Sequence, residues 1–313
     1  MTVSSGRVRS RLGGALVAAL LFLTGCADAT ELAGATADDA RSEPADETRT
    51  VPIEEPTQEP TTAASDEPTD EPTEAAVKPP ERPRRGDCVP LTSTDAFYDV
   101  LREIPEPKPC SQRHVGQLTD VEPLSPAMRR AVETGRLGPV TDRLQSRCRE
   151  STRRWLGTDE EGLVISQFYS LPALPSYEDS QAGADWFACI TYVIKRGTTL
   201  LELPRDTRRI LTDATSSPYG TCARAAIRNA GDDRLVCSIR HNWRAVGAVE
   251  LGGPDATFDG ENRVREEVRV ACETQVRDYL DTTGAYEYGY TWPTRSLWKD
   301  GDRYGVCYAK VGD

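Results

Sequence analysis

Nine cysteines divide this chain into one, four and four, and that grouping constrains its fold more than any other feature. Cys26 stands alone behind a short apolar run. Cys88, Cys110, Cys148 and Cys189 form one set, and Cys222, Cys237, Cys272 and Cys307 form another. The neighbours repeat too. Cys110-Ser-Gln-Arg-His114 matches Cys237-Ser-Ile-Arg-His241, and these hold the only two histidines of the protein. Pro175 and Pro293 each precede the last cysteine of their set by 14 residues, Gly183 and Gly301 by 6, and Trp186 and Tyr304 by 3. A repeat with matched cysteine spacing implies a duplicated unit.

The first residues set the compartment. Arg7, Arg9 and Arg11 precede an apolar stretch from Leu12 to Leu23, which has the length of a signal-peptide core and is too short to span a bilayer. Leu23-Thr24-Gly25-Cys26 then matches a bacterial lipobox. That match implies a signal peptide over residues 1–25, cleavage before Cys26, and acyl chains on its sulfur that anchor the protein to the membrane. We therefore expect a lipid-anchored lipoprotein on the extracytoplasmic face of the cell membrane.

Residues 26–85 read as a disordered tether. From residue 27 they hold nine prolines, four Glu-Pro-Thr units, 16 acids and 6 bases, and no aromatic residue. Such a segment buries too little apolar surface to fold, and its charge extends it. It carries most of the formal net charge of −12, so the remainder of the chain is only mildly acidic. That balance, with export, argues against nucleic acid as a partner.

The repeat divides residues 86–313 into copy one at 86–198, a linker at 199–218, and copy two at 219–313. Each copy has the same order of parts. A Gly-x-Cys start and a Cys-Ser-x-Arg-His turn lead to a strand at Val115–Val121 or Trp243–Leu251. A helix with the third cysteine follows. Val264, Val268, Cys272, Val276 and Leu280 recur every four residues, the signature of one apolar helix face with a polar Arg/Glu back. Strands are then expected at Leu163–Ser170 or Tyr286–Trp292, and finally at Trp186–Ile194 or Tyr304–Val311, after a proline-led loop. The fold class expected is α+β, as two tandem small disulfide-stapled domains, each a mixed sheet with a packed helix.

Exported, evenly numbered cysteines should be oxidised. Four cysteines permit three pairings, and sequence does not choose among them. We expect first with second and third with fourth: Cys88–Cys110, Cys148–Cys189, Cys222–Cys237 and Cys272–Cys307.

The residues in this order resemble the septum-formation domain of actinobacterial envelope proteins. Copy two carries the resemblance best, through Tyr288-Gly289-Tyr290-Thr291-Trp292-Pro293-Thr294, Trp298, Gly301-Asp302-Arg303 and Cys307, although Thr221 stands where that family has Asp. Copy one keeps Gly86-Asp87-Cys88-Val89 but has Pro175-Ser176 and Ala184-Asp185 at the later motifs. The resemblance implies a link to the division-site envelope and implies no reaction.

Several site readings follow. A metal site from Cys110 with His114 and Cys237 with His241 has workable spacing, but disulfides remove the thiolates, so no metal and no cofactor are expected. A catalytic histidine needs a nucleophile or acid in reach, and no Gly-x-Ser-x-Gly, His-Glu-x-x-His or Ser-x-x-Lys motif is present. The histidines either cap turn carbonyls beside a disulfide or, as Arg113-His114 and Arg240-His241, form a recognition patch for an anionic wall component or protein. Tyr286, Tyr288, Tyr290 and Trp292 alternate, which puts them on one strand face. That face is either core beneath the helix or a surface that stacks on sugars or grips a protein, with Tyr290 and Trp292 the first pair to test. The function expected is a non-enzymatic envelope binding or scaffold module whose partner is an envelope protein or a cell-wall component. The alternative is a hydrolase or transferase acting on peptidoglycan or its precursors.

Overall fold

The computed structural model describes residues 80–225 and 233–312. The expected signal peptide, the expected lipidation site Cys26 and nearly all of the expected tether lie outside the described residues.

The first half, expected as copy one, contains β1 (Cys88–Val89), β2 (Leu101–Arg102), β3 (Gly116–Pro123), α1 (Pro126–Thr134), α2 (Gly138–Leu156), α3 (Glu160–Val164), β4 (Phe168–Leu174), α4 (Tyr177–Gln181) and β5 (Trp186–Arg196), and β6 (Thr199–Leu200) follows in the segment expected as a linker. The second half, expected as copy two, contains β7 (Thr221–Ala223), β8 (Arg234–Val236), β9 (Trp243–Glu250), α5 (Glu261–Tyr279), β10 (Tyr288–Thr291), α6 (Arg295–Lys299) and β11 (Tyr304–Lys310). Strand order β1-β3-β5-β4 in the first half recurs as β7-β9-β11-β10 in the second, and every pairing in those two runs is antiparallel. The register irregularity recurs as well. It falls between Leu118 and Asp120 opposite Cys189 in one half, and beside Cys307 in the other. The short β2–β4 pair is parallel, so the sheet is mixed.

Each half lays one 19-residue helix on its sheet. Helix α2 starts with Pro139 in its first turn and buries Val140, Leu144, Cys148, Ser151, Thr152 and Trp155, positions three and four apart. It stops at Gly157, whose φ of 73° suits a left-handed cap that returns its N–H to the Arg153 carbonyl. Helix α5 buries Val264, Val268, Cys272 and Val276. It lies so close to β11 that a Cβ at Gly305 would fall 2.6 Å from Val268 Cγ1 and 3.0 Å from Val268 Cβ. Glycine is the residue that permits this approach.

Four disulfides brace the halves: Cys88–Cys110, Cys148–Cys189, Cys222–Cys237 and Cys272–Cys307. In each half one bridge ties the opening strand to the turn that follows it, and the other ties the long helix to the last strand. Trp155, Trp186 and Trp298 are all buried.

Each half has apolar clusters of its own, and the two halves also share one. One apolar cluster takes Trp155, Leu156, Phe168 and Val193 from copy one and Ala223, Val236, Trp243, Ala245, Val306 and Tyr308 from copy two. The segment at 199–218, expected as a linker, adds Leu203, Leu211 and Ala214 to that cluster. Its apolar residues recur too irregularly to reveal a packed segment by periodicity. Strand β5 also runs past its partners so that Arg196 pairs with Leu235 of β8, and the Arg196 side chain forks onto Asp233 at 2.7 and 2.8 Å. The expectation of a strand at Leu163–Ser170 is corrected. Asp159 caps α3 through the Gly162 N–H at 2.8 Å, and residues 165–167 hydrogen-bond across to 219–221, so the strand begins at Phe168. Helices α4 and α6 fall in the proline-led segments expected as loops, and α1 fills a segment for which no element is expected.

Among the described residues no helix is long and apolar enough to cross a membrane.

Candidate functional site

The two histidine turns are built alike. The His114 ring, 2% exposed, donates from Nδ1 to the Gln112 carbonyl at 2.9 Å, and His241 donates from Nδ1 to the Ile239 carbonyl at 2.7 Å. Each ring thus clips the turn two residues before it. The His114 carbonyl in turn accepts the Leu203 N–H at 3.0 Å, which fastens the connecting segment to copy one. Arg113 is exposed and pairs with Glu202 at 2.9 Å, and Arg240 is exposed. His241 lies within 4.8 Å of the Cys222 and Cys237 sulfurs, but those sulfurs are bonded to each other and offer no thiolate to a metal. Among the described residues no hydrogen bond or ion pair joins the two Arg-His turns to each other or to the aromatic strand.

Tyr290 and Trp292 come together with Tyr286 and Tyr288 as a ladder along β10. Successive ring centroids lie 6.0, 6.2 and 5.7 Å apart. All four rings are half-buried against α5. The ladder is therefore partly core and partly surface. Arginines on α5 interleave with it. Arg277 lies over Tyr286 at 5.7 Å and Arg265 over Trp292 at 5.2 Å. Arg265 also donates to the Tyr290 hydroxyl at 3.5 Å, while Trp292 Nε1 donates to Glu261 at 3.4 Å. Glu266 and then Tyr288 hold Arg269 more firmly protonated than usual. Cation–π contacts of this kind are worth about 0.5–1 kcal/mol each where exposed. In the sequence these arginines read as the solvated back of a helix. Nothing in their four-residue spacing distinguishes an arginine over a ring from one in water. Strand β10 ends the sheet, so its outer edge is unpaired among the described residues.

The motifs that carried the family resemblance do structural work. Thr294, after Pro293, caps α6 by accepting the Leu297 N–H at 3.3 Å, and Ser176, after Pro175, caps α4 by accepting the Asp179 N–H at 3.0 Å. Arg303 of the Gly-Asp-Arg segment donates to the Trp298 carbonyl at 2.5 Å and to the Pro254 carbonyl at 3.1 Å, and its guanidinium stacks 4.3 Å from the Trp298 ring. Together they clamp the loop that delivers β11. Thr294→Ala is expected to lower stability by about 1 kcal/mol, and Thr294→Ser by only a few tenths. Urea unfolding of the two variants beside the parent checks this. Equal losses would show that the hydroxyl cap is not what holds α6.

The architecture is that of a disulfide-braced α+β protein with a shared central core and an aromatic, arginine-lined edge. The chain belongs to the Septum formation family, whose model matches residues 85–307. That single match spans both halves and the segment between them, and it points to a septum-related role in cell division or the envelope. No curated protein and no solved structure gives a significant match.

Proposed function

We propose that this protein is a non-enzymatic binding module of the cell envelope, anchored by lipid at Cys26, lifted from the membrane by its acidic tether, and engaged with a partner at the division site. The two copies serve as a single rigid body that presents one recognition edge. The observation that carries this reading is the ladder of Tyr286, Tyr288, Tyr290 and Trp292 on a terminal strand, with Arg265 and Arg277 over its ends. Tyrosine, tryptophan and arginine dominate protein-binding hot spots, and an unpaired strand edge adds backbone donors and acceptors. The partner class is an envelope protein or a wall component.

A fluorescent fusion at the C-terminus tests it in growing cells. Enrichment at septa is expected, with Cys26→Ala releasing the protein from the membrane. Tyr290→Ala with Trp292→Ala is expected to abolish the enrichment while leaving the protein membrane-bound. Even distribution of the unaltered fusion along the envelope would refute a division-site role, and septal enrichment that survives the double variant would refute this edge as the site.

A further inference from the structure

A concave site that shares no residue with the β10 edge lies elsewhere on the protein. A cavity of about 510 Å³ is lined by Arg85, Gly86, Gln117, Trp155, Arg205 and Arg208, together with Cys110 and Asp206. Its size falls in the range of small-ligand sites. Its charge is lopsided. Three guanidiniums face one carboxylate. Asp206 is already engaged by Arg208 through Nε at 2.9 Å and Nη2 at 2.8 Å, and Arg208 holds that carboxyl below its ordinary range. Among the described residues no carboxylate pairs with Arg85 or Arg205.

The three arginines are exposed, but two of them lie over one fixed ring. Arg85 lies over the Trp155 ring at 5.1 Å and Arg208 at 5.4 Å. Trp155 is itself fixed, because its Nε1 donates to Thr207 Oγ1 at 2.8 Å. The backbone that bears Arg205 and Arg208 is held by the buried Gln117. Gln117 Oε1 accepts from the Thr207 N–H at 2.9 Å and from Thr207 Oγ1 at 2.6 Å, and Gln117 Nε2 donates to the Arg205 carbonyl at 3.4 Å. A buried amide, a buried hydroxyl and a buried indole thus fix the backbone that bears Arg205 and the ring beneath Arg85 and Arg208 beside one hollow. Bringing like charges together costs energy unless an anion completes the set. Guanidinium forks supply more N–H donors than the two oxygens of a carboxylate accept, and match the three terminal oxygens of a phosphoryl group.

We propose that this cavity binds a phosphoryl group of an anionic ligand, held by Arg85, Arg205 and the Nη1 group of Arg208. The proposal is independent of the β10 edge, so either can fail alone. Such a group reaches the envelope on a lipid headgroup or on a phosphate-bearing wall polymer, and the site reads the same chemistry in both.

Glycerol 3-phosphate titrated into the full chain by calorimetry at low salt should bind saturably, one per chain, with a Kd below about 1 mM. Arg85→Ala with Arg205→Ala should weaken binding at least about tenfold. Arg85→Lys with Arg205→Lys keeps the charge but loses the forked donors, and should fall between the two. Arg129→Ala, on α1 and paired with Asp185, should leave binding unchanged. Near-ultraviolet circular dichroism of each variant verifies the fold. Competition by phosphatidylglycerol vesicles would assign the ligand to a lipid headgroup, and competition by a soluble glycerol-phosphate polymer would assign it to the wall; both support the site. No saturation in that range, undiminished binding by the alanine double variant, or equal affinity for succinate would overturn the proposal.

Discussion

Cys148→Ala combined with Cys189→Ala is expected to lower unfolding stability by about 4 kcal/mol, the largest loss of any single bridge in this protein. The bond closes a separation of 41 residues, against 35, 22 and 15 for the others. Chain-entropy reasoning makes the cost grow with the logarithm of that separation, so removing Cys222–Cys237 should cost only about 3 kcal/mol. Both sulfurs of Cys148–Cys189 are buried, in a cluster with Leu144, Leu174 and Phe187, so double alanine also sacrifices packing between α2 and β5. Urea unfolding of the oxidised full chain, parent against the two double variants, measures the difference. A loss below about 1 kcal/mol for the longer bridge would mean that packing alone holds α2 to the sheet.

Trp155→Ala is expected to cost about 3–5 kcal/mol and to loosen the halves together rather than copy one alone. Trp155 is 5% exposed and sits in the cluster that both copies share. Its backbone carbonyl accepts the Arg209 N–H at 2.8 Å, and its indole N–H bonds Thr207, so the connecting segment is docked on it twice. Trp155→Phe keeps a ring in the core but gives up the bond to Thr207, and should cost about 1 kcal/mol beyond the lost volume. Hydrogen exchange separates the outcomes. Joint loss of protection in β5 and β9 is expected for the alanine variant. Loss confined to α2 and β4 would show that the halves keep independent stability.

The parts that sequence made legible are local. A helix with apolar residues every four positions must bury one stripe, and α5 does so with Val264, Val268, Cys272 and Val276. Strands β9 and β11 were visible because alternating and β-branched residues fit a pleated, half-buried surface. The cysteine spacing repeats along the chain, and the strand order of the first half recurs in the second. Less was legible where the governing contacts are distant. Residues 163–164 carry a good strand composition, yet the cap at Asp159 draws them into α3. Helices α4 and α6 hang on single hydroxyls, Ser176 and Thr294, that look like ordinary loop residues in a string of letters.

The candidate sites divide the same way. Tyr290 and Trp292 were found because a period of two is a property of the strand itself. The arginines over that ladder were missed, since which side of α5 meets β10 depends on how the helix crosses the sheet. Arg85, Arg205 and Arg208 were missed altogether. Arg85 precedes copy one and the other two lie in the segment joining the copies, and only the Gln117–Thr207–Trp155 network brings them to one hollow.

Sequence by itself carries a repeat of cysteine spacing, a helix with apolar residues every four positions and an aromatic strand near its end, because those properties are written in nearest-neighbour spacing. Only the tertiary structure decided which cysteines pair, that residues 199–218 send Leu203, Leu211 and Ala214 into the core, and that the two halves share that cluster. Those outcomes turn on burying apolar surface between segments far apart in the chain, which no local pattern encodes.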